Sequence, residues 1–78
     1  MKKLDLRTFG INLKRIVKEF NATHKENFAT TIANDSQNYY VNDYNLIYRY
    51  FCGQKTPSLD TLLYLSRLLN VTPEELLS

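Results

Sequence analysis

Apolar residues recur three and four positions apart along most of the chain, and that spacing predicts helices. Leu6, Phe9, Leu13, Ile16, Val17 and Phe20 form one stripe, which predicts an amphipathic helix over residues 6–20. Asp5 stands where an N-cap belongs. Thr23 and Glu26 have the spacing of a capping box, so a second helix is expected over residues 24–33, with Phe28, Ala29 and Ile32 on it. Asn34, Asp35 and Ser36 then read as a break. Residues 36–42 stay open between a loop, a short helix and an extended piece. Tyrosine and valine favour a strand there, but a single short strand has no partner.

A third helix is expected over residues 43–52, capped by Asn42 or Asp43 and ended by Gly53 in a left-handed conformation. Helical geometry puts Ile47, Tyr50 and Phe51 on one side, with Leu46 at the margin, and Tyr44, Asn45, Tyr48 and Arg49 on the other. The fourth helix, 59–69, has Ser58 as its cap, and Leu59, Leu62, Leu63, Leu65, Leu68 and Leu69 as a broad apolar face. Asn70 can close it. The fifth, 73–77, has Thr72 as N-cap, Pro73 in the first helical position and Glu75 completing a capping box. Glycine and proline are scarce, so the pattern predicts an all-α fold in one domain over residues 1–78.

Length agrees, because 78 residues leave room for one core. No apolar run resembles a signal peptide or approaches a membrane span. A single cysteine, Cys52, offers no intramolecular disulfide and fits a reducing cytoplasm, the expected location. One histidine and one cysteine are too few for a structural zinc site, and no carboxylate pair or spare histidine makes a catalytic constellation. No metal, cofactor, small-molecule substrate or enzymatic activity is expected.

Net charge is only +2, but it is unevenly spread. Lys2, Lys3, Arg7, Lys14, Arg15 and Lys18 face Asp5 alone in the first eighteen residues, and no lysine or arginine occurs from Glu26 to Tyr48. A basic face of this kind attracts phosphate or is simply solvated.

The most specific signal is IYRYFCGQKTPSLDTLL, residues 47–63, followed by LLNVTPEELL, residues 68–77. Together with Phe9-Gly10 and Leu13 to Ile16, it resembles the lambda-repressor-like, Cro-type (XRE-like) helix-turn-helix family over nearly the whole chain. The resemblance implies a compact five-helix DNA-binding domain whose third helix enters the major groove. Carried onto this sequence, Tyr44, Asn45, Tyr48 and Arg49 would read bases, with Asn45 suited to adenine and Arg49 to guanine. Gln54, Lys55 and Thr56 after Gly53 would hold phosphates. So would Thr23, His24 and Lys25, as the start of the second helix. The implied function is a transcriptional regulator of phage or mobile-element type, most simply a repressor. It would bind a short double-stranded operator of two half-sites as a homodimer.

Two departures stand out. Residues 34–42 are surplus where the family has a tight turn. Phe51 replaces a glutamate that the family often pairs with an arginine at the position of Arg15, which frees Arg15 for solvent or phosphate. In the surplus, Tyr39, Tyr40 and Val41 divide between capping the core, forming a dimer surface and following the DNA backbone. Leu76-Leu77 is the other candidate dimer surface. Ser78 leaves open whether more chain follows. The rival function is a protein-binding adaptor on the same fold, antitoxin-like or anti-defence, gripping its partner through the tyrosine-rich patch.

Overall fold

The stripe that begins at Leu6 becomes the inner face of α1 (Leu6–Thr23), where Phe9, Leu13, Ile16 and Val17 are buried. The computed structural model describes residues 6–77 and finds among them four more helices and no strand. They are α2 (Phe28–Asn34), α3 (Asn45–Phe51), α4 (Leu59–Leu69) and α5 (Pro73–Leu77). Asp5, the expected cap of α1, lies outside the described residues, as do Lys2 and Lys3.

α1 runs to Thr23, past its expected end, and this corrects the start of the second helix. The Thr23 hydroxyl donates back to the carbonyls of Glu19 (3.1 Å) and Phe20 (3.3 Å), so it closes α1 and does not cap α2. The cap is Asn27, whose Oδ1 accepts the Thr30 N–H at 2.8 Å. Asn21 reaches from α1 to accept the Phe28 N–H at 2.7 Å. Two asparagines thus hold the first turn of α2, where N–H groups have no partner within the helix.

α3 starts at Asn45, two residues after the expected position, with its N–H on Asp43 Oδ1 at 3.0 Å. It ends as expected. Gly53 has φ +70°, its N–H donates to Tyr50 O (3.1 Å), and the Gln54 N–H donates to Arg49 O (2.9 Å), which is a Schellman closure. α4 and α5 have the expected bounds. Ser58 Oγ accepts the Thr61 N–H, Asn70 takes the left-handed closing conformation, and Thr72 Oγ1 accepts the Glu75 N–H.

The apolar face of α4 is narrower than expected. Leu62, Leu65 and Leu69 point inward with Thr61 and Tyr64, while Leu59 and Leu63 are 69% and 42% exposed. These two leucines are four residues apart on the far side of the helix, so they cannot share its inner stripe.

α1 is the central element and packs against the other four helices. Phe9, Leu13, Phe28, Ile47, Leu65 and Leu76 are fully buried. Burial of Leu76 removes it from any dimer surface, and the Asn12 amide ties its carbonyl to α1 at 3.2 Å. α1 and α3 approach closely at Gly10. A Cβ there would press into the Tyr50 carbonyl oxygen and lie 2.7 Å from that of Phe51.

Residues 35–44 form a loop, which resolves the three readings of that stretch. It is pinned to the core: Val41 is 3% exposed, and the Tyr64 hydroxyl donates to Asp35 Oδ2 at 2.6 Å. The Tyr40 ring lies over Tyr64 with centroids 5.0 Å apart, while Tyr39 is 78% exposed. Among the described residues no buried side-chain nitrogen or oxygen lacks a partner. No described helix is long and apolar enough to cross a membrane.

Candidate nucleic-acid interface

Seven residues make α3, so its inner and outer sides are easily separated. Ile47 and Tyr50 face the core, and Phe9 meets the Tyr50 ring edge-on at 5.7 Å. Phe51, expected wholly inside, is half-buried, with Tyr48 against it at 5.9 Å. Arg15 turns to Glu19, 3.6 Å away on the exposed side of α1. Arg15, expected free for solvent or phosphate, is thus exposed but paired within α1 itself.

Asn45, Tyr48 and Arg49 lie exposed on the outer side of α3, one turn apart where the sequence placed them. Arg49 has neither a hydrogen-bond nor an ion-pair partner for its guanidinium among the described residues, so its five donors remain available. Asn45 is partly committed: its Nδ2 donates to Asp43 Oδ2 at 3.3 Å. One amide hydrogen and the amide oxygen remain, which is the pair a bidentate contact to adenine needs. Tyr48 is 55% exposed.

Tyr44 differs from these three. It is half-buried, edge-on to Phe28 at 6.4 Å and to Tyr48 at 5.2 Å. Burial, and secondarily the neighbouring Tyr48, push its phenol up to about 12, so it stays a neutral donor. Its ring belongs to a continuous aromatic chain that runs His24, Phe20, Phe28, Tyr44, Tyr48, Phe51 from the end of α1 across α2 onto α3. Tyr44 and Tyr48 hold α3 in place as well as covering its surface. Their spacing in the sequence shows the outer ones, but nothing in it shows that the ladder reaches His24.

Thr23, His24 and Lys25 are exposed but stand elsewhere than expected. They lie at the carbonyl end of α1, where the helix dipole is negative, not at the N–H end of α2. His24 stacks on Phe20 with centroids 3.8 Å apart, and its Nδ1 lies 2.9 Å from the Phe20 carbonyl. The helix-start argument for phosphate therefore does not hold at these three residues. Any contact there would rest on the Lys25 charge alone.

Gln54, Lys55 and Thr56 form an exposed loop between the Gly53 closure of α3 and buried Pro57. Lys14 and Lys18, one turn apart on α1, border a shallow, mainly apolar groove of about 270 Å³ floored by Tyr44, Tyr48 and Phe51. These two lysines were legible as charges off the apolar stripe but not as neighbours of α3. No cluster of three metal-ligating side chains occurs among the described residues. No protein-family model, curated protein or solved structure matches this chain.

Proposed function

We propose that this protein is a sequence-specific regulator of transcription, most simply a repressor, that inserts α3 into the major groove of an operator. The observation that carries the reading is the outer side of α3. Asn45, Tyr48 and Arg49 are exposed there with free donors, immediately before a loop containing Lys55. The lambda-repressor-like pattern of residues 47–77 supports the same assignment, and Lys14 and Lys18 beside Tyr44 and Tyr48 extend the positive charge toward α3. Asn45 and Arg49 read bases, Tyr48 donates to phosphate or packs on a thymine methyl, and Lys55 with Gln54 and Thr56 grips the backbone. Tyr44 acts mainly as the support on which Tyr48 rests.

Anisotropy of a labelled duplex, titrated with salt, tests this. Affinity for random duplex should fall steeply as salt rises, because each neutralised phosphate releases counterions. On an operator selected from a random pool, Arg49→Ala should cost about 1–3 kcal/mol and relax one base position. Lys55→Ala should weaken all sequences alike and lower the salt slope by about one unit. Absence of binding even at low salt would remove the DNA reading and leave the protein-binding adaptor. That rival is favoured by one observation, the exposed Tyr39 and Tyr40 rings packed edge-on at 6.5 Å.

A further inference from the structure

The outer side of α4 carries two exposed leucines. Leu59 and Leu63 sit one turn apart in solvent. On the same outer side, exposed Asp60 stands in the first turn and exposed Arg67 in the last. Neither charge has an ion-pair or side-chain hydrogen-bond partner among the described residues. The inner side of α4 faces the core, so these four residues form a stripe with no partner among the described residues.

The stripe is complementary to itself. Asp60 and Arg67 are equidistant along the helix from a point just past Leu63. Two antiparallel copies of α4 related by a two-fold axis at that point would set Leu63 against Leu63 of the other copy. The same arrangement would set Asp60 opposite Arg67 twice, since an isologous contact pairs each residue with its counterpart in both directions. Antiparallel helices also bring opposite dipole ends together. One helix of eleven residues is a small interface, but the loop enlarges it. Tyr39 and Tyr40 stand beside Arg67 around a surface cleft. In the antiparallel arrangement they lie toward Leu59 of the second copy.

We infer that the exposed stripe Leu59, Asp60, Leu63 and Arg67 of α4 is a homodimer interface occupied by the same stripe of a second copy, in antiparallel orientation. Of the Leu76-Leu77 pair, burial leaves only Leu77 at the surface; the α4 stripe is the larger apolar surface, and its pairing does not depend on DNA binding.

Sedimentation equilibrium without DNA tests it. The native chain should self-associate reversibly in the micromolar to millimolar range. Leu63→Lys places two like charges at the axis and should yield a monomer with an unchanged circular dichroism spectrum. Asp60→Arg and Arg67→Asp should each weaken association by about tenfold, because both pairs become repulsive. An equimolar mixture of those two variants should associate again, since each chain then supplies the charge the other needs. A native chain that stays monomeric, a dimer that survives Leu63→Lys, or a mixture no tighter than its components would overturn the interface. Operator binding by α3 is measured separately, so failure here is distinct from failure of the DNA reading.

Discussion

Asn38 organises the loop between α2 and α3 with one side chain. Its Nδ2 donates to the carbonyls of Ile32 (3.3 Å) and Val41 (2.7 Å), while its Oδ1 accepts the N–H groups of Tyr40 (3.1 Å) and Val41 (2.9 Å). Val41 enters the core, so its backbone polar groups need partners away from water, and Asn38 supplies them. Asn38→Ala should destabilise the fold by about 2–3 kcal/mol, the scale of buried polar groups left unpaired. Asn38→Asp should also destabilise, because a carboxylate oxygen would replace the donor facing two carbonyls. Denaturant unfolding followed by circular dichroism measures both, and a loss below about 0.5 kcal/mol for Asn38→Ala would contradict this role. Nothing in the sequence singled Asn38 out. An asparagine close to Ser36 and to other asparagines reads as an ordinary turn residue, and its importance depends on where Val41 goes. Arg49 was legible for the opposite reason: it needs only helical periodicity to be placed outside.

Among the elements, those built from local signals came out of the sequence with their bounds correct. α4 and α5 carry Ser58, Asn70, Thr72 and Pro73 at their ends, and each acts within one turn of its own position. The boundary between α1 and α2 was misread because Thr23 and Glu26 match a capping box while tertiary packing favours another start. Phe28 must reach the core against Phe20, at 5.4 Å, and Asn21 must accept its N–H across the turn. Gly10 shows how an element contact can contradict local propensity. In isolation, Gly10→Ala should stabilise α1 by about 1 kcal/mol. In the folded chain the new methyl meets the Tyr50 and Phe51 carbonyls, which are backbone atoms at the end of α3 and cannot rotate away. Gly10→Ala should therefore destabilise by about 1–3 kcal/mol and disturb the seating of α3. At Gly53 there is room for a methyl group, with the nearest atom 3.6 Å away, so alanine there meets only the strain of φ +70°. The two substitutions are best compared by thermal unfolding together with operator affinity. Gly10→Ala should impair both, and a variant as stable as the parent chain would show that α1 and α3 do not meet at this position.

At the scale of the whole molecule, three tyrosines sit at three different joints, and their ionisation should be linked to unfolding. Tyr50 joins α3 to α1, Tyr44 joins α3 to α2, and Tyr64 joins α4 to the loop through Asp35. Burial raises the phenol of all three. Proximity to Tyr48 adds to the rise at Tyr44, and the Asp35 carboxylate adds to it at Tyr64. A folded-state value above the unfolded value of about 10 means that the neutral phenol is favoured by the fold. The associated stability is fully present below pH 10 and is lost as pH rises through the folded values, near 12 for Tyr44. The molecule should thus lose helicity cooperatively in that alkaline window. Tyrosinate absorbance should report these three phenols ionising together with unfolding, not one by one from an intact fold. Tyr64→Phe removes one raised group and its bond to Asp35, so the variant should be less stable at neutral pH and show a shallower alkaline decline. Parallel pH titrations of circular dichroism and tyrosinate absorbance would decide it. Complete tyrosine ionisation at full helicity would mean that the phenols are not part of what holds α3, α4 and the loop to α1.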